Sequence, residues 1–220
     1  MALVIGNTTI ANTTPAANSF TIAHNQNAGS DKYLLVSVTM SNGVNFTGAT
    51  YNGVPMVPII GLNDGSQSQR VLIYGLATTS AGVNNIVVSF TGSVWNPISF
   101  FAGSFTGSGG SGDTGSNSSI ATPNAQTLTV SANSLIFATG MSVFGQSFPY
   151  TINGVDVTAL YNGHNTNRIV EGAYSNLGLP AGSIDVVTKA DAGTVSNVRI
   201  EITEAGGVVP SNTGAYFLTE

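Results

Sequence analysis

Two histidines, His24 and His164, and ten acidic residues among 220 are the groups with which this chain could move protons. A Ser-His-Asp relay needs an imidazole held between a serine and a carboxylate. His164 with Asp156 and one of the many serines is the available set. No Gly-x-Ser-x-Gly elbow accompanies it, and the surrounding "YNGHNTNR" reads as a hairpin loop. Glycoside hydrolysis needs two carboxyl groups flanking one bond. Asp156, Glu171 and Asp185 fall on strand-like segments of the second half, where outward-facing strand positions account for them, and charge there discourages edge aggregation.

Other chemistries are excluded or thinly supported. Gly107-x-Gly109-x-x-Gly112 has the spacing of a dinucleotide fingerprint, but it opens no helix whose N-terminus could hold a pyrophosphate. Asp64 in "LNDGSQS" and Asp113 in "SGDTGSNSS" each offer one carboxylate in a polar loop, too few for a calcium site. The chain has no cysteine, so disulfides, thiolate zinc sites and thiol nucleophiles are absent. No cofactor and no metal site are expected, and the chain is not expected to be an enzyme.

Three aromatic residues are the candidate contact groups. Trp95, beside Asn96-Pro97, could sit at a loop tip and stack on a sugar face or anchor an interface, or it could cap the core as most tryptophans do. Tyr216 and Phe217 end an otherwise polar tail and need cover, from a homo-oligomeric neighbour or from the chain's own core.

The elements that must position these groups are strands. "YLLVSVTM" at 33–40, "RVLIYGL" at 70–76, "NNIVVSF" at 84–90 and "ISFFAGSF" at 98–105 are short, β-branched or aromatic, and bounded by Gly, Asn, Pro or Ser. No window sustains a helical period, so the chain reads as all-β. Residues 107–125 collapse into a Gly/Ser-rich stretch, read as a loop. Strand signals then resume, among them "SLIFATGM" at 134–141, "RIVEGAY" at 168–174 and "SNVRIEIT" at 196–203.

The second series repeats the first. Leu34 falls on Leu135, Met40-Ser41 on Met141-Ser142, and Thr50-x-Asn52-Gly53-Val54 on Thr151-x-Asn153-Gly154-Val155 at one offset; Tyr74 matches Tyr174 and Ala81-Gly82 matches Ala181-Gly182 at an offset one shorter. Asn-Gly supplies the two left-handed residues of a type I′ hairpin. The reading is an N-terminal arm at 1–18, a jelly-roll-like antiparallel β-sandwich at 19–204, and a C-terminal tail at 205–220. The sandwich is built from pseudo-repeated halves at about 19–106 and 126–204. Two small sandwiches would also fit. One sandwich with a sheet from each half is preferred, because five strands over roughly 75 residues bury little core.

Composition narrows the partners. Only 7% of residues are charged against 42% hydrophobic, where soluble domains average about 25% charged, so the surface is made of Asn, Ser, Thr and Gly. Five basic residues and a net charge of -5 leave no patch for phosphates, and nucleic acid is not an expected partner. The apolar run Ala2 to Ile5 lacks the flank of a secretory signal. No stretch approaches the roughly 18 apolar residues of a membrane span.

The series Leu34-Leu35-Val36, Thr50-Tyr51-Asn52-Gly53-Val54-x-Met56, Tyr74-Gly75-Leu76, Asn85-Ile86-Val87-Val88-Ser89-Phe90 and Ala102-Gly103-Ser104-Phe105-Thr106-Gly107 resembles jelly-roll modules of tailed-phage virion proteins. That resemblance implies a structural part of the virion: a capsid decoration (cement) protein, a head fibre or a tail appendage. It also implies a homo-oligomer, a trimer above all, seated on the major capsid protein, assembled in the bacterial cytoplasm and exposed on the particle. The alternative is a carbohydrate-binding module of a tail fibre or bacterial surface protein, with a glycan as ligand.

Overall fold

The computed structural model describes residues 1–13, 17–41, 45–64, 69–78, 80–94, 98–119, 124–143, 150–157, 159–165, 168–188 and 194–206. Trp95, Tyr216 and Phe217 lie outside them. Strands of the first half are β1 (Val4–Thr13), β2 (Ser19–Gln26), β3 (Tyr33–Ser41), β4 (Phe46–Tyr51), β5 (Val54–Pro55), β6 (Val57–Asp64), β7 (Gln69–Ala77), β8 (Gly82–Phe90) and β9 (Ile98–Thr106). Those of the second are β10 (Ser108–Ser119), β11 (Asn124–Val130), β12 (Leu135–Val143), β13 (Tyr150–Ile152), β14 (Val155–Val157), β15 (Ala159–Asn165), β16 (Arg168–Tyr174), β17 (Gly182–Thr188) and β18 (Val195–Glu204).

These strands form four antiparallel sheets. The first half supplies β1-β9-β3-β7-β6 and β2-β8-β4-β5, and the second supplies β10-β18-β12-β16-β15 and β11-β17-β13-β14. Adding nine to each strand number of the first pair gives the second pair. The duplication therefore covers every strand, and each half is a two-sheet sandwich rather than one sheet of a shared one.

Two segments read as irregular are strands, which is why each half is larger than expected. Residues 4–13 of the expected N-terminal arm are a strand: β1 pairs with β9 from Val4↔Thr106 to Thr13↔Ile98. Within the Gly/Ser stretch expected to be a loop, residues 108–119 are a strand: β10 pairs with β18 from Ser108↔Glu204 to Ser119↔Val195. Propensity misleads at β10 because strand preference depends on neighbours, and its glycines leave room for side chains lying across the strand. A Cβ on Gly112 would stand 1.8 Å from Glu201 Oε2, and one on Gly115 would stand 2.1 Å from Gln126 Nε2.

The repeated "NGV" hairpins are equivalent. Asn52 and Gly53 have φ of 50° and 77°, Asn153 and Gly154 have 52° and 74°, as type I′ turns require. Asn52 N–H donates to Asn85 O at 2.9 Å, and Asn153 N–H to Asp185 O at 2.8 Å. Gly82 and Gly182 are also equivalent, each opening its strand opposite the last residue of β2 or β11, but the matched core letters are not. Leu34, Met40 and Tyr74 face the neighbouring sheet of their own half, whereas Leu135, Met141 and Tyr174 face the other half. Side chains alternate along a strand, so an odd shift in pairing moves a matched letter to the opposite face.

Apolar packing forms three layers between the four sheets. Leu34, Val36, Tyr51, Ile86, Val88 and Phe100 fill the first sandwich; Leu128, Ile136, Tyr150, Ile152 and Val186 fill the second. Between the two five-stranded sheets lie Leu35, Ile73, Phe101, Leu135, Phe137 and Ile200. Phe101 stacks on Phe137 with centroids 5.0 Å apart, and Tyr174 meets Phe101 and Phe105 edge-on at 5.8 and 5.7 Å. This middle layer supplies the burial that a small half lacks on its own.

Candidate functional site

The carboxylates of the second half do not converge. Asp156, on β14, and Asp185, on β17, are exposed, whereas Glu171 is buried on β16. Ile169 and Ala173, which share the face of Glu171, pack inside the second sandwich. Asp185 lies outside it and accepts a hydrogen bond from Thr127 Oγ1 at 2.5 Å. His164 is on strand β15, paired with Ile169 rather than in a loop. Among the described residues no group of three or more His, Cys, Asp and Glu stands close enough to hold a metal. Gly107-x-Gly109-x-x-Gly112 runs from a turn into β10, and no helix follows.

His24 is buried, an outcome its sequence neighbours could have signalled: Phe20, Ile22, His24 and Gln26 share one face by period-two alternation. Its Nδ1 lies 2.9 Å from Thr9 Oγ1 and its Nε2 lies 2.6 Å from Ser104 Oγ. The Ser104 hydroxyl is also 3.1 Å from Gln26 Oε1, to which it donates. The consistent assignment is a neutral imidazole, with Nε2–H donating to Ser104 and Nδ1 accepting from Thr9. Ser104 thus gives its proton to an amide and not to a base, the reverse of what an activated nucleophile requires. The cluster braces β1, β2 and β9.

Burial lowers the His24 pKa to about 4. In the unfolded chain the imidazole titrates near 6.5, so between those values the unfolded state binds more protons and stability falls as pH falls. The wild type should lose about 2 kcal/mol of stability between about pH 7 and pH 5 from this residue alone. Chemical denaturation of wild type and His24→Gln at both pH values isolates it: the variant should show the smaller pH dependence, and equal dependence would exclude His24 as the cause.

The second sandwich holds a larger polar network. Arg199, fully buried, donates through Nη1 to Gln126 Oε1 at 2.6 Å and through Nη2 to Thr188 Oγ1 at 3.2 Å. Burial lowers its pKa to about 10, leaving it cationic at neutral pH. Glu201 accepts from Ser131 N–H at 2.5 Å and from Asp113 N–H at 3.0 Å. The β10 ladder shifts register between Ser111 and Thr114, and bulges leave a residue without its ladder bond; Glu201 satisfies that residue. Asp113, considered for calcium, accepts from Thr114 N–H at 2.9 Å and from Thr129 N–H at 2.8 Å. The first half solves the same problem without charge: β1 shifts between Ile5 and Thr8, and Asn7 N–H donates to Asn27 Oδ1 at 2.9 Å.

The feature shaped for a ligand is a cleft of 730 Å³ in the first half, where β4 and β5 of one sheet face β6 and β7 of the other. Phe46, Met56, Leu72 and Tyr74 supply its apolar side, and Asn45, Thr47, Thr50, Asn63 and Ser89 supply amides and hydroxyls. Phe46 is braced by Phe90, centroids 5.3 Å apart. Arg70 also lines it, with Nη1 donating to Asn45 Oδ1; burial lowers its pKa. Burial likewise raises Tyr74 to about 12, so its phenol is neutral. Sequence reasoning missed this cleft because its residues come from five strands, β4 to β8, and share no spacing.

Neither models of known protein families nor curated proteins yield a match to this chain.

Proposed function

We propose that the chain is a structural protein of a tailed-phage particle, a capsid decoration protein that stabilises the shell by adhesion as a homo-trimer on the major capsid protein. The order of strands in each half supports reading it as a jelly roll: successive strands cross between two sheets, with β1-β9-β3-β7 facing β2-β8-β4-β5. The observation that carries the proposal is the shared aromatic layer between the halves. It joins two small sandwiches into one block of four sheets, a construction suited to bearing load rather than to opening around a substrate.

The edges support assembly. β1 is an edge strand of ten residues without a charge or a proline, and Val4 and Ile10 on it are 49% and 45% exposed. Edges in solitary proteins are commonly guarded by charge, proline or a bulge; β1 has a bulge between Ile5 and Thr8 but a regular, uncharged run from Thr8 to Thr13 that suits pairing with another chain. On the opposite flank β5 and β6 carry Pro55 and Pro58. Buried apolar area at subunit joints contributes roughly 25 cal/mol per Å² before ordering costs.

Immunogold electron microscopy of particles released by host lysis should place label on the shell, and light scattering should give three times the 22.4 kDa chain mass. Particles without label would overturn the virion reading. A monomer in solution together with labelled shells would keep the decoration role and discard the free trimer.

A further inference from the structure

We propose that the cleft between β4–β5 and β6–β7 binds a pyranose oligosaccharide. This inference does not rest on the virion reading. The cleft has the size of ligand sites, about 300–1,000 Å³, and its chemistry selects among ligands. Each pyranose unit presents an apolar C–H face beside a ring of hydroxyls that both donate and accept. The cleft has the complementary set: the Phe46 ring and the Met56 and Leu72 side chains on its apolar side, with Asn45, Asn63 and Thr47 as polar groups.

Amide and hydroxyl groups donate and accept as hydroxyls do, whereas a site for phosphates is built from several cations and backbone N–H groups. Arg70 is the one cation among the described lining residues, and Asn45 already orients it. Among the described lining residues there is no Asp or Glu to supply the counter-charge that a cationic ligand needs. Residues 1–106 hold two acidic and two basic residues, so the net charge of -5 falls on residues 107–220 and a neutral ligand meets a neutral half. The rings that join the halves, Phe101, Phe105, Phe137 and Tyr174, are not among the described lining residues, while Leu62 and Val71 are shared between the cleft wall and the joining layer.

Isotope-labelled full-length chain titrated with neutral trisaccharides of glucose, galactose and N-acetylglucosamine, to about 10 mM, tests this by amide chemical shifts. At least one sugar should produce saturable shifts in residues 45–50, 61–63 and 70–74. Asn63→Ala and Arg70→Gln should each weaken that binding about tenfold, while Thr21→Ala, at an exposed position on β2, should leave it unchanged. The proposal is overturned by no shift with any of the three sugars, by shifts that map elsewhere, or by unchanged affinity in the cleft variants. Asn63 is exposed, so Asn63→Ala keeps the test valid if Arg70→Gln does not fold.

Discussion

Phe101→Ala should destabilise the protein by about 3–5 kcal/mol, the cost of deleting a large ring from a filled core. Phe101 is fully buried, stacked on Phe137 of the other half and met edge-on by Tyr174. The lost contacts therefore belong to the join between the halves as well as to β9. Urea denaturation followed by fluorescence measures the loss, and Phe101→Leu should cost less because it refills part of the volume. A loss below about 1 kcal/mol for Phe101→Ala would mean that the middle layer does not hold the two halves together. In that case the four-sheet block, and the structural role proposed from it, would fail.

Glu201→Ala is the second large effect expected, about 2–5 kcal/mol. One side chain satisfies two backbone donors, the buried Ser131 N–H and the part-buried Asp113 N–H; a fully buried donor left without a partner costs about 1–3 kcal/mol, and a part-buried one costs less. Glu201→Gln keeps one acceptor oxygen and should fall between wild type and Ala. Hydrogen exchange adds a local readout: the amides of Asp113 and Ser131 should lose protection in Glu201→Ala even where the rest of β18 keeps it. Unchanged protection at both amides would show that water or another group replaces the carboxylate. A carboxylate buried at a β-bulge is here a structural device, which separates Glu201 from the catalytic acids that a search for paired carboxylates is designed to find.

The reading of the acidic strand positions as outward-facing holds for Asp156 and Asp185, which are exposed, and not for Glu171, which is buried. Asp156, Glu171 and Asp185 look alike in sequence, each on a strand of the second half. Asp185 faces outward from β17, and Glu171 is enclosed between sheets. His24 was readable as a core position from its alternation with Phe20 and Ile22, but its partners Thr9 and Ser104 lie on two other strands. Arg70 carried no signal at all, since its place in the cleft depends on β4 and β5 lying opposite β6 and β7.

By itself the sequence determined the strand content, the type I′ hairpins at Asn52-Gly53 and Asn153-Gly154, the duplication, and the scarcity of charge. These are local properties: backbone stereochemistry at Asn-Gly, alternation within a strand, and composition. A further trace was present in the continuous apolar runs "YLLVSV" and "ISFFAGSF", where both faces of β3 and β9 are buried, against the alternating "NNIVVSF" of β8, which has one face in solvent. Only the tertiary structure decided that each half makes two sheets, that residues 4–13 and 108–119 are strands, and that the two five-stranded sheets pack on each other. Those outcomes depend on pairing between segments up to about a hundred residues apart. A glycine- and serine-rich stretch becomes a strand when β18 supplies its ladder and when side chains such as Glu201 occupy the space that the missing Cβ atoms leave, conditions that no local window contains.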